Sequence, residues 1–92
     1  MYGAIAYASD GSWGWAVDYT DQQSANNAAE SQCGDCEVVL EFQNTCAAFA
    51  LGDGGEGWAS GDDPEEVQYA ALDACSSVGT DCEVKNWACT SR

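Results

Sequence analysis

At 92 residues the chain is long enough for one domain and too short for its hydrophobic core alone to give more than marginal stability. Sixteen acidic residues face two basic ones, Lys85 and Arg92, and the net charge of −14 argues against phosphate backbones and anionic membranes as partners. Six cysteines without a histidine imply a disulfide framework made outside the reducing cytosol, and argue against a structural zinc site.

Taken in chain order, a first strand is expected through Ala4, Ile5 and Ala6, and Asp10-Gly11-Ser12 then suits a hairpin turn. Trp13 and Trp15, two residues apart, fall on one face of the returning strand. Asp21 is the cap of a first helix whose inner face is Ala25, Ala28, Ala29 and Cys33, with Gly34 as its stop. Val38, Leu40 and Phe42 alternate onto one face of the next strand, and Ala47, Phe49 and Leu51 onto one face of the strand after it. Asp53-Gly54-Gly55 supplies a second hairpin turn. Asp63 caps a second helix, with Pro64 at its first position and Glu66 completing a capping box. Val67, Ala70, Ala71, Ala74 and Cys75 form its inner face, Gly79 lies in the loop beyond, and a last strand carries Glu83 and Lys85 on one face. Small side chains on both helices allow each to lie close on a sheet.

The order strand, turn, strand, helix, strand occurs twice. Ala25, Ala28, Ala29 and Cys33 recur at an offset of 42 as Val67, Ala70, Ala71 and Cys75. The segment from Ala4 to Trp15 resembles that from Ala47 to Trp58, and Cys36 to Leu40 resembles Cys82 to Asn86 at an offset of 46. The expected fold is therefore α+β: an antiparallel sheet with two helices, two pseudo-symmetric β-β-α-β repeats and disulfide staples. It is read as one domain over residues 1–92, with repeats of about 2–45 and 46–92.

Tyr2-Gly3-Ala4-Ile5-Ala6-Tyr7, followed by Gly14-Trp15, resembles the opening of the bacterial family catalogued as domain of unknown function 4189. That family's alanine-rich helix ending in cysteine, Cys-x-Val-Val strand and Asn-x-Cys-x-Ala-x-Ala strand correspond to Ala28–Cys33, Cys36–Val39 and Asn44–Ala50. Gly57-Trp58 and Ala70–Cys75 match its second half. The resemblance implies a secreted or periplasmic domain, often preceded by a signal peptide, and implies no catalytic residues. No signal peptide is recognisable in the chain, so the expectation is a mature region with Met1 as an added start. The acidity departs from any relative that binds through a basic surface.

Six cysteines allow fifteen connectivities. The repeat narrows them: Cys33 with Cys36 and Cys75 with Cys82 each pin a helix to its following strand, which leaves Cys46 to join Cys89. Cys33-Gly34-Asp35-Cys36 has oxidoreductase spacing, but a helix C-terminus and the adjacent Asp35 both disfavour a thiolate.

Without histidine no Ser-His-Asp or Cys-His arrangement is possible, and no Gly-rich loop opens a helix after a strand. A carboxylate pair of the glycosidase type is allowed by residue type alone. Asp53 with Glu56, and Asp62, Asp63, Glu65 and Glu66, are acidic clusters that a Ca²⁺ ion could use, but neither follows an EF-hand loop. Solvated surface and helix capping account for these acids, so no metal or other cofactor is expected. Trp15 and Trp58 occupy equivalent places and are read as structural. Trp13 and Trp87, which lack aromatic counterparts, are expected to be exposed, and with Tyr19 they form the candidate binding surface. The function expected is a secreted, non-catalytic interaction module with a protein partner, binding no nucleic acid and inserting in no membrane. The alternative is a self-assembling extracellular structural subunit, such as a fibre or surface layer; a small hydrolase or a Ca²⁺-binding protein comes behind both.

Overall fold

A computed structural model describes residues 1–90, so that Arg92 lies outside the described residues. The elements run β1 (Tyr2–Tyr7), β2 (Trp13–Tyr19), α1 (Gln22–Glu30), β3 (Glu37–Gln43), β4 (Cys46–Asp53), β5 (Gly55–Gly61), α2 (Pro64–Ser76) and β6 (Thr80–Cys89). They form two compact units: Met1–Asn44 joined by Thr90, and Thr45–Cys89. Each unit holds one antiparallel three-stranded sheet, in the order β2-β1-β3 in the first and β5-β4-β6 in the second. The α+β class, the antiparallel pairing and the two helices are those read from the sequence.

The helices start where their caps dictate. The Asp21 carboxylate accepts from the Ser24 amide at 2.8 Å and from its hydroxyl at 2.9 Å. Those two bonds, the amide first, hold the Asp21 carboxyl below the ordinary aspartate value. Asp63 accepts from the Glu65 and Glu66 amides, and Pro64, which has no N–H to leave unpaired, opens α2.

In the first unit α1 covers Ala4, Ala6 and Ala16 with Ala25 and Ala29, and Cys36 closes the cluster. In the second, α2 covers Cys46, Ala48 and Ala50 with Val67, Ala71 and Cys75. Both clusters are built almost wholly of small side chains, because each helix backbone lies directly on a strand glycine. A Cβ on Gly14 would stand 2.0 Å from the Ala29 carbonyl oxygen, and one on Gly57 would stand 2.3 Å from that of Ala71. The face of β1 and β3 turned away from α1 holds larger groups: Ile5 and Phe42 are buried there, and Trp15 meets the Phe42 ring at a centroid distance of 6.0 Å. In the second sheet Phe49 is fully buried on the face turned away from α2.

Four details differ from the sequence reading. First, Val38 does not share a face with Leu40 and Phe42. Ile5 pairs with Leu40 but Ala6 with Val38, so Val39 is a bulge, and Val38 turns to the α1 side while Leu40 and Phe42 stay opposite. The second unit has the same irregularity: Phe49 pairs with Asn86 and Ala50 with Val84, which leaves Lys85 as the bulge. Second, these bulges align Ile5 with Phe49, an offset of 44 and not the 43 implied by matching Ala4 to Ala47. The first hairpin is one residue longer, and a one-residue slip in a strand exchanges its faces. Third, α1 ends at Glu30, not at Cys33. Ser31 caps it, its hydroxyl bonding the Ala28 carbonyl at 2.9 Å. Beyond the cap, the Gln32 side-chain amide accepts the Trp15 N–H at 3.2 Å and donates to the Trp15 carbonyl, which draws the chain out of the helical path. Fourth, Ala70 and Ala74 are exposed, so the buried stripe of α2 narrows to Val67, Ala71 and Cys75, with Leu72 partly covered.

Gly57→Ala should lower stability by about 1–3 kcal/mol through overpacking, whereas Gly34→Ala, with open space at its Cβ, should be nearly neutral. Chemical denaturation checks this; equal midpoints for the two variants would show that the helix yields without cost.

Candidate interaction surface

Three disulfides join Cys33 to Cys36, Cys75 to Cys82 and Cys46 to Cys89. This is the pairing to which the repeated pattern leads. Cys75 sits in the buried stripe of α2, and its bridge ties that helix to β6. Cys46 and Cys89 lie directly opposite one another on β4 and β6, so their bridge closes the end of that ladder. The Cys33–Cys36 bridge spans the turn between α1 and β3. There Cys33 follows the helix C-terminus by three residues, still the wrong end for a stabilised thiolate.

The aromatic candidates part company. Tyr19 is 38 % exposed and Trp87 46 %, but Trp13 is half-buried: it pairs with Tyr7 and, two residues from Trp15, lies on the sheet face that buries Ile5 and Phe42. Trp13 and Tyr19 occupy opposite ends of β2, about 20 Å apart at the rise of an extended strand, so they do not form one patch. Trp87 belongs to the second unit. It pairs with Ala48, whose side chain lies under α2, and it therefore stands on the α2 side of its sheet.

Two apolar side chains outside the candidate surface expected from the sequence join it on the surface of that unit, Tyr69 of α2 at 65 % exposure and Val78 at 62 %. The signal for Tyr69 was available. At 100° per residue it points about 160° away from the Val67, Ala71 and Cys75 stripe, and a tyrosine at that angle meets water.

Around these groups the surface is acidic. Lys85, the one basic side chain among the described residues, pairs with Glu83 at 3.3 Å. Among the described residues no group of three or more His, Cys, Asp or Glu side chains converges as a metal site would, and no helix is long and apolar enough to cross a membrane.

A family model described as Domain of unknown function (DUF4189) matches residues 2–89. The chain belongs to this family. Similar proteins are Protein Mb1300c of Mycobacterium bovis (strain ATCC BAA-935 / AF2122/97) and, in Mycobacterium tuberculosis, Protein MT1307 of strain CDC 1551 / Oshkosh and Protein Rv1269c of strain ATCC 25618 / H37Rv. Each is 36 % identical over 91 residues, a span that covers 97 % of this chain and 69 % of the relative. No solved structure matches the chain. The family description and the relatives' names assign no activity, so the surface chemistry carries the functional argument.

Two measurements test the energetics of this surface. Chain-entropy reasoning assigns about 2 kcal/mol to the loop closed by Cys33–Cys36 and about 4 kcal/mol to the one closed by Cys46–Cys89. Changing Cys46 and Cys89 to Ser should therefore lower Tm more than changing Cys33 and Cys36, and calorimetry giving equal values would contradict the ranking. Raising salt from about 0.01 M to about 0.5 M cuts the screening length from about 30 Å to below 10 Å. Relief of acidic self-repulsion should then raise Tm by about 5 °C; an unchanged or lower Tm would show that the acids do not oppose folding.

Proposed function

We propose that this chain is a secreted or periplasmic, non-catalytic interaction module that docks on a protein partner through Trp87 and Tyr69. The observation that carries the reading is the presence of large apolar side chains, Trp87, Tyr69 and Val78, exposed on one acidic unit. Tryptophan and tyrosine contribute most to binding when a partner desolvates them, while surrounding charged residues set orientation and reject wrong partners. The acidic surround favours a partner with basic residues about an apolar pocket.

Three disulfides support the location, because they are maintained where the redox poise is oxidising. The absence of histidine from the sequence supports a non-catalytic role, since it removes the commonest general base. The shared strand order, the matching bulges at Val39 and Lys85, and the equivalent glycines 14 and 57 support descent of both units from one duplicated motif.

Affinity capture from the extracellular fraction of the source organism tests the docking reading, with the wild-type chain and a Trp87→Ser, Tyr69→Ser variant as baits. A true partner should bind the variant at least about 30-fold more weakly, the loss of a hot spot worth about 2 kcal/mol. Identical capture by both baits, with the variant's Tm preserved, would refute it.

A further inference from the structure

The two units treat one strand edge differently. In the first, Trp15 turns its N–H and C=O away from β1, and both are taken by the side-chain amide of Gln32, which stands in for a neighbouring strand. The equivalent residue in the second unit is Trp58 on β5, next to the equivalent glycine, Gly57. Where a Cβ on Gly14 would meet the Gln32 Cβ at 3.1 Å, a Cβ on Gly57 would meet the Ala74 Cβ at 2.9 Å. Ala74 thus occupies the Gln32 position and has no amide to offer.

The ladder fixes which groups of β5 remain open. Gly52 pairs with Gly55 across the two-residue loop Asp53-Gly54, where Gly54 takes φ +75°. A loop of that length is closed by a hydrogen-bonded pair. Alternation along the register then makes Leu51–Glu56, Phe49–Trp58 and Ala47–Ser60 the pairs that do not bond across the ladder. Glu56, Trp58 and Ser60 therefore direct their N–H and C=O away from β4. Among the described residues none of these outward groups has a hydrogen-bond partner.

The other edges are blunted. β2 carries the Gln32 plug and Asp18 at φ 62°, while β3 and β6 carry the bulges at Val39 and Lys85 and several charges. β5 pairs with β4 in unbroken register from Gly55 to Gly61 and contains one charged residue, Glu56. An unbulged, weakly charged edge is what another strand pairs with.

We propose that β5 is a homotypic contact: the β5 strands of two copies pair antiparallel about a two-fold axis at Trp58, joining two three-stranded sheets into one of six strands. The pattern is self-complementary. With Trp58 opposite Trp58, both Trp58 residues exchange their N–H and C=O groups, and Glu56 of each copy faces Ser60 of the other, so no like charges are opposed. The pairing goes beyond the aromatic docking reading and uses different residues, so either can fail with the other intact.

Sedimentation velocity over a concentration series in about 0.15 M salt tests it. The wild-type chain should show a concentration-dependent dimer. Ala74→Gln, which restores the plug found in the first unit, should weaken the dimer at least tenfold without lowering Tm. Ser60→Lys places a cation opposite Glu56 at both symmetry-related positions and should tighten the dimer about fivefold, while Ser60→Glu should loosen it by a similar factor. A wild-type chain monomeric up to about 1 mM would overturn the proposal. So would a dimer that ignores Ala74→Gln, or one that Ser60→Lys and Ser60→Glu shift in the same direction.

Discussion

Each unit depends on one contact, the backbone of a helix resting on a glycine of a neighbouring strand. The Ala29 and Ala71 carbonyls occupy the space that a side chain at Gly14 or Gly57 would need. At that distance the helix can present little beyond alanine, and the residues beneath it are alanines as well. A buried methylene contributes about 0.8 kcal/mol, against 1.5–3 kcal/mol for a leucine or phenylalanine side chain, so close approach makes a thin core. Disulfides then contribute what large core side chains would supply elsewhere. The proposed extracytoplasmic setting is in this way tied to packing: the helix-facing side of each unit has little apolar volume, disulfides add covalent closure, and disulfides persist in an oxidising compartment.

The local signals were legible. Asp21 and Asp63 cap their helices through contacts made within three residues, and such contacts are visible in sequence. The cysteine pairing was legible because two equivalent pairs left a single remainder. Features set by a partner strand were not. The bulge at Val39 exists in relation to β1, and nothing in the Val38–Phe42 segment marks where the ladder gains a residue. The extra residue of the first hairpin displaced the alignment of β1 with β4 by one, because matched Ala and Gly residues fit either register. On the candidate surface, Trp87 is exposed as its lack of a counterpart in the other repeat suggested, and Tyr19 is exposed as well. Trp13 misled because it lies two residues from Trp15, on the sheet face that buries Ile5 and Phe42, and lacking a counterpart in the other unit does not change that.

The units also differ in how they close themselves. The Cys46–Cys89 bridge stands at the ladder position held by Tyr2 and Gln43 in the first unit, where the Asn44 N–H bonds the Met1 carbonyl at 3.0 Å instead. The first unit relies on polar side chains bonded across its elements: Gln22 to the Gly3 carbonyl at 2.8 Å, Asn26 to Glu41 at 2.7 Å, and Gln32 to the Trp15 backbone. The second relies on two disulfides and has no counterpart to Gln32. Covalent closure holds a ladder end without occupying an outer edge, so the more heavily stapled unit is also the one with an open strand.

An acidic protein should resist pairing with itself, and the distribution of its charge decides where that resistance is weakest. At physiological salt, charges farther apart than about 8 Å are largely screened, so repulsion between copies is governed by the acids nearest the contact. The far edge strand β6 carries Asp81 and Glu83 and the helix α2 carries Glu65, Glu66 and Asp73; on β5 itself there is Glu56, set against a serine in the two-fold arrangement. The net charge of −14 thus works as negative selection over the rest of the surface. In the proposed pairing it opposes contact at the charged edges β3 and β6, while β5 carries Glu56 alone and an unbroken register on which backbone hydrogen bonding can outweigh the repulsion. Acidity and the proposed self-association are then compatible, because the first restricts the second to a single geometry.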